Sequence, residues 1–173
     1  PKAPGAIEEY VNLGAAWYSQ QLAAERANII RLTNARSKSY EAAYGHFAKA
    51  LEIHDEWEEI YKANIDFAKL NGLTNKLIQG FYRDIFLNKK ADVRHRFLGA
   101  ATPKGAVDYV PNITKGVHKW YFLKGRPGSG KSTMLKKIAK SAEQRGFDVE
   151  MYHCGFDPDS LDMVIVREVG IAI

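Results

Sequence analysis

Residues 118–145 read HKWYFLKGRPGSGKSTMLKKIAKSAEQR, and the expected fold and chemistry of the chain follow from them. Within this stretch residues 125–132 spell GRPGSGKS, which satisfies G-x-x-x-x-G-K-[ST], the pattern of a phosphate-binding P-loop, or Walker A loop. The flanks suit the motif. Residues 118–124 are apolar and aromatic-rich and read as a strand. After Thr133 the apolar positions Met134, Leu135, Ile138, Ala139 and Ala142 recur at helical spacing, and Gly146 reads as the helix stop.

The residue types dictate the expected chemistry. Gly125, Gly128 and Gly130 allow backbone conformations closed to residues that carry a Cβ, so successive N–H groups can turn into one cavity around an anion. A helix that begins at about Gly130 directs its positive end at the same anion. Lys131 supplies a mobile cation for β- and γ-phosphates, and Ser132 a hydroxyl for Mg²⁺. Thr133 is placed to reach the α-phosphate. Pro127 stiffens the loop and removes one donor. Arg126 and Ser129 complete the loop backbone, with the Arg126 side chain expected in solvent.

Outside the loop, composition sets the class. The chain has 173 residues, 46% hydrophobic and 26% charged, as expected of a folded chain with one domain, or one small domain and an appendage. No apolar run is long enough to span a membrane. The single cysteine, Cys154, cannot form an internal disulfide, which points to a reducing cytoplasm. Net charge is +5 but unevenly distributed: residues 6–70 hold ten acids against seven Lys or Arg, whereas residues 104–140 hold nine Lys or Arg and one acid, Asp108. The basic surplus surrounds the P-loop, so phosphate affinity is its first expected use and nucleic-acid binding its second.

In chain order, residues 1–5 (PKAPG) read as an extended leader and helix is expected from residue 6, with Tyr10, Leu13, Gly14 and Trp17 as a short apolar stripe. Residues 21–70 contain no proline and only Gly45 as glycine. Tyr40, Ala43, Tyr44, Phe47, Ala50, Leu51, His54, Trp57, Tyr61, Ile65 and Ala68 fall in steps of three and four, one face of a long coiled-coil-like helix. Unbroken, it would span roughly 65 Å. A break at residues 33–39 (TNARSKS) is therefore expected, giving an antiparallel helical hairpin. Asn71-Gly72 reads as its end, with a further helix over residues 73–88 packing on it. Residues 97–101 and 106–110 around the turn signal at 102–105 read as a β-hairpin, residues 147–153 as a strand, and 163–166 and 170–173 as short strands. The expected fold is α/β: a helical segment over 1–92, then over 93–173 the first part of a P-loop nucleotide-binding domain whose strands alternate with a helix in a parallel sheet.

The sequences GRPGSGKSTMLKKIA and YHCGFDPDSLDMVIVREVGIAI, preceded by RHRFLGAATPKGAVDYVPNIT, together resemble an uncharacterised bacterial family of P-loop ATPase-like proteins, about twice as long, with two P-loop halves separated by helical sequence. The resemblance implies nucleotide binding at residues 125–133 and a P-loop α/β fold. It also implies that the chain holds the intervening helices and the start of the second half. The first residue, Pro1, and the final apolar run at 170–173 likewise suggest a fragment of a longer protein. The second carboxylate for Mg²⁺ is then expected outside the chain.

The leading functional expectation is Mg²⁺-dependent binding and hydrolysis of ATP or another nucleoside triphosphate. Lys131 neutralises the transferred phosphoryl and Ser132 holds the metal. The alternatives are a small-molecule or nucleotide kinase and a non-catalytic, nucleotide-sensing module whose helical segment docks a protein partner. Open strand edges suggest self-association. Further candidates compete with plainer roles. Asp157, Asp159 and Asp162 suit a metal-bound water, or simply a turn. His153 and Cys154 lack the companions of a metal site. His54 reads as a buried, hydrogen-bonded residue of the helical stripe. Arg94, His95 and Arg96 suit an anion, or the solvated start of a strand. Tyr40, Tyr44, Phe47, Trp57 and Tyr61 suit stacking on bases, though their spacing favours a core or helix–helix seam.

Overall fold

The computed structural model describes residues 9–173, so the leader expected at 1–5 and the helical start at residue 6 lie outside the described residues. No helix among the described residues is long and apolar enough to cross a membrane. Helical structure begins with one 3-10 turn, Leu13–Ala16, capped by the Asn12 side chain, which accepts from Gly14 N–H at 3.0 Å. Tyr10 precedes this turn, so the expected apolar stripe is not one helical face. Helix α1, Ser19–Ala24, and helix α2, Arg26–Lys62, follow.

Helix α2 runs for 37 residues without interruption, straight through the TNARSKS segment where a hairpin break was expected. Serine and asparagine break a helix only where their side chains capture backbone groups outside it. Here Ser39 Oγ donates to Ala35 O at 3.2 Å, one turn back, so the serine is satisfied without leaving the helix. No residue of α2 is buried. Tyr40 and Tyr44 stack on each other with ring centroids 6.2 Å apart and face solvent, so they form no core or seam.

The chain separates into two compact units between His46 and Phe47, within α2. In the second unit, residues 63–66 end the long helix and Asp66 caps helix α3, Phe67–Tyr82, by accepting from Lys69 N–H at 3.0 Å. Helix α3 therefore passes through Asn71-Gly72, which had been read as a boundary; a Cβ at Gly72 would meet no neighbour. It packs on helix α5, Lys131–Gln144, where the expectation had put it on the long helix. Tyr82 is fully buried there, and its hydroxyl donates to Ile138 O at 3.3 Å.

The strands are β1 (Val93–Phe97), β2 (Gly99–Thr102), β3 (Gly105–Asp108), β4 (Lys119–Trp120), β5 (Val149–His153), β6 (Leu161–Val166) and β7 (Ile171–Ala172), with a short helix α4 at Val110–Ile113. Strands β2 and β3 form the expected antiparallel hairpin, a two-stranded sheet of its own. The other five make one sheet in the order β1-β5-β6-β7-β4. The sheet is mixed, not parallel: β1 and β5 run parallel, as do β4 and β7, while β5/β6 and β6/β7 are antiparallel. Connection length explains this. A parallel crossover takes about a dozen residues or more, and residues 154–160 and 167–170 are too few to supply one.

Strand β6 occupies the middle of the sheet. Val164 and Val166 enter one hydrophobic cluster with Ile138, Ala142 and Tyr82, and Met163 and Ile165 enter a second with Tyr152 and Ala172. This is the alternation of side chains to opposite faces that a strand imposes. Helix α5 ends where Gly146, at φ +81°, lets Phe147 N–H reach Ala142 O at 3.1 Å and Gly146 N–H reach Glu143 O at 3.0 Å. Beyond β6, Arg167 grips Glu150 with Nε–Oε1 at 2.6 Å and Nη2–Oε2 at 3.2 Å. It also donates to Ile113 O and Lys115 O, tying the segment before β4 to the sheet.

Candidate phosphate-binding site

The GRPGSGKS loop, residues 125–132, follows β4 and runs into the start of α5. Tyr121 N–H donates to Ala172 O at 2.9 Å, extending the pairing one residue past β4 before the chain leaves the sheet. Ser129 N–H then closes a turn on Arg126 O at 3.2 Å. Gly128 and Gly130 have φ of +75° and +84°, the left-handed region that a side chain disfavours. Gly130 is the N-cap of α5, and the first intrahelical bond runs from Met134 N–H to Gly130 O at 3.0 Å. The N–H groups of Lys131, Ser132 and Thr133 therefore precede the helical ladder at its positive end.

The side chains of the motif are engaged locally. Lys131 Nζ donates to Gly125 O and Arg126 O, both at 2.8 Å, with Ser129 Oγ at 3.5 Å. Ser132 Oγ accepts from Leu161 N–H at 3.0 Å, which joins the first turn of α5 to β6. One Ser132 lone pair is thereby used and one remains. Arg126 is exposed, as expected, and Gly125 and Arg126 meet the site through their carbonyls.

Residues 127–133 form one wall of a cleft of about 650 Å³. That volume lies within the range of small-molecule pockets. A second wall is the end of α2, with His54, Glu58 and Lys62; a third is the segment from Cys154 to Asp162, with Phe156, Asp157 and Asp159. All three candidate aspartates thus reach the cleft. Asp157 is also held in a turn: its carboxylate accepts from Asp159 N–H at 3.1 Å and from Ser160 Oγ at 2.5 Å. Asp162 differs. Burial raises its carboxyl above the ordinary range; Cys154 opposes the shift by hydrogen bonding, the Asp157 charge adds to it, and the Lys131 charge opposes it.

Several residues from α2 had escaped a functional reading. Glu58 Oε1 accepts from Gly128 N–H at 3.1 Å, and Glu58 Oε2 lies 3.0 Å from Lys62 Nζ. Lys62 lines the cleft as well, and its pKa is raised by its hydrogen bonds to Glu58 and Glu59. The recoverable signal was the spacing of His54, Glu58 and Lys62, four residues apart on one helical face. His54 is not the hydrogen-bonded core residue expected: its Nδ1 is buried without a partner, while its ring meets Phe156 edge-on at 5.7 Å. His54, Asp55 and Glu58 bring ligand atoms within 4.8 Å of one another, but Glu58 is already committed to Lys62 and to the loop.

The remaining candidates lie elsewhere. His95 Nδ1 and His153 Nε2 are 2.8 Å apart across β1 and β5, and His153 Nδ1 donates to Pro158 O at 2.6 Å. Arg94 Nε donates to Asp92 at 2.7 Å on the exposed sheet edge, and Arg96 is exposed beside it. Cys154 lines the cleft as a free thiol. A scan against family models, a search of curated proteins and a search of solved structures each return no match to this chain.

Proposed function

We propose that the chain binds the phosphates of a nucleoside triphosphate, ATP first, at residues 125–133, and supports its Mg²⁺-dependent hydrolysis in a P-loop fold. The observation that carries this reading is the loop itself. Two left-handed glycines, Gly128 and Gly130, lead into the N-terminus of a 14-residue helix, and the Gly128 N–H already takes an anionic acceptor, the Glu58 carboxylate. A backbone donor that selects a carboxylate suits a phosphate oxygen by the same electrostatics.

The cleft is lined by oxygen donors of the kind Mg²⁺ takes: the free lone pair of Ser132 and the Asp157 and Asp159 carboxylates. When bound, the ion would neutralise charge on the phosphates. Lys131 contributes by leaving its two loop carbonyls for the terminal phosphates. Asp162, on the β6 strand that lines the cleft, is the residue to accept a proton from an attacking water. A non-catalytic sensing module is the second reading; the observation favouring it is the direct bond between the loop and α2.

Titration with Mg·ATP checks the proposal. Measurable binding is expected for the intact chain, and Lys131→Ala should weaken it by about 100-fold or more, with phosphate release falling alongside. Equal affinity and turnover in that variant would remove the role assigned to Lys131. Binding without phosphate release would favour the sensing module.

A further inference from the structure

Helix α2 touches the P-loop through its backbone as well as a side chain. A Cβ built on Gly128 would lie 2.5 Å from Glu58 O and 2.9 Å from Glu58 Cα. Those are main-chain atoms in a helix and cannot swing aside, so only glycine allows this approach. At the contact, Gly128 N–H donates to Glu58 Oε1 at 3.1 Å. The Glu58 side chain is 19% exposed, and its other oxygen is held by Lys62 at 3.0 Å; Lys62 in turn bridges to Glu59 at 3.1 Å. His54 Nε2 stands 4.0 Å from Glu58 Oε1 on the same face.

We propose that the Glu58 carboxylate is an internal stand-in for a phosphate oxygen, so that the part of α2 in this unit must release the loop before a polyphosphate can occupy it. The idea rests on the phosphate-binding reading above and adds a competitor to it. One N–H cannot serve a carboxylate and a phosphate at full strength at once, and two anions in the same mouth repel. Lys62 makes the exchange workable, because it lines the same cleft and can turn from Glu58 to the incoming anion. Binding then does two things together: it fills the loop and it frees the end of α2. A helix whose position depends on loop occupancy is a nucleotide-dependent signal to whatever α2 contacts.

The experiment compares Mg·ATP affinity by calorimetry for the intact chain and its Glu58→Ala, Glu58→Gln and Lys131→Ala variants. Glu58→Ala should bind about tenfold tighter than the parent, the gain expected if Glu58 leaves the loop in about one molecule in ten. Glu58→Gln keeps the shape and an acceptor but loses the charge, and should fall between the two. The Gly128 amide resonance should move on Glu58→Ala without ligand, and on Mg·ATP addition to the parent. Unchanged or weaker binding in both Glu58 variants, with the parent and Lys131→Ala differing as expected, would overturn the competitor while leaving the phosphate site standing. Absence of Mg·ATP binding in the parent and in both Glu58 variants would remove both, and binding in Lys131→Ala equal to the parent's would remove the role of Lys131. If Glu58→Ala does not fold, Glu58→Gln decides alone.

Discussion

Helices α2 and α5 carry the same pattern and meet opposite fates. Both place apolar residues in steps of three and four. In α5, Met134, Leu135, Ile138, Ala139 and Ala142 are buried against α3 and the sheet. In α2 nothing is buried, and Tyr44 remains 65% exposed. Periodicity tells which residues share a face; only a neighbouring surface decides whether that face leaves water. The exposed Tyr40 and Tyr44 stabilise little, because the hydrophobic gain scales with the area removed from solvent.

The comparison predicts unequal costs for equal truncations. Ile138→Ala should cost about 3 kcal/mol in a urea unfolding experiment, since it opens a cavity in a fully buried site. Tyr44→Ala should stay within about 0.5 kcal/mol. Similar losses at the two positions would mean that the α2 face is covered and would break the contrast. A smaller effect sharpens how α5 is terminated. At Gly146 a Cβ would lie 2.7 Å from the carbonyl oxygens of both Leu87 and Lys89, at a positive φ. Gly146→Ala should therefore cost about 2 kcal/mol, combining backbone strain with a clash against main chain.

An effect smaller than that at Gly146 concerns the sheet that α5 covers. Burial opposes the charge of Glu150, but hydrogen bonds from Arg167 and Tyr152 outweigh it and hold the carboxyl below its ordinary value of 4.5. A depressed carboxyl contributes stability that is fully present above its unfolded pKa and is lost as pH falls through the folded one. Arg167→Ala should cost about 1 kcal/mol at pH 7, the Arg167 side chain being nearly half exposed. Its deficit should shrink as pH falls from about 5 to about 3. A deficit that stays constant over that range would assign the effect to the bonds on Ile113 O and Lys115 O instead.

Much of the second unit was legible in the chain itself. The glycine–helix passage is local: Gly128 and Gly130 are required by the turn, and the apolar run from Met134 needs no distant information, whereas the strand expected over residues 118–124 is only the two residues of β4. The hairpin at residues 99–108 is equally local, because Thr102 and Gly105 close it within four residues. Other features were present but misread. The short connections around β6 already forbid a parallel sheet, and Asp66 already offers an N-cap. Arg94, His95 and Arg96, read as the solvated start of a strand, lie in β1, and a sheet edge tolerates them because that side is exposed.

The sequence by itself determined the glycine turn at residues 125–130, the helix behind it and the positions of most strands, because those depend on glycine conformations and on repeats within a few residues. Only the tertiary structure decided that Glu58 meets Gly128, seventy residues away, that α3 covers α5, and that β7 lies between β6 and β4. Those pairings depend on which surfaces exclude water together and on which backbones approach closely enough to bond. Such contacts form only once the chain has folded back on itself.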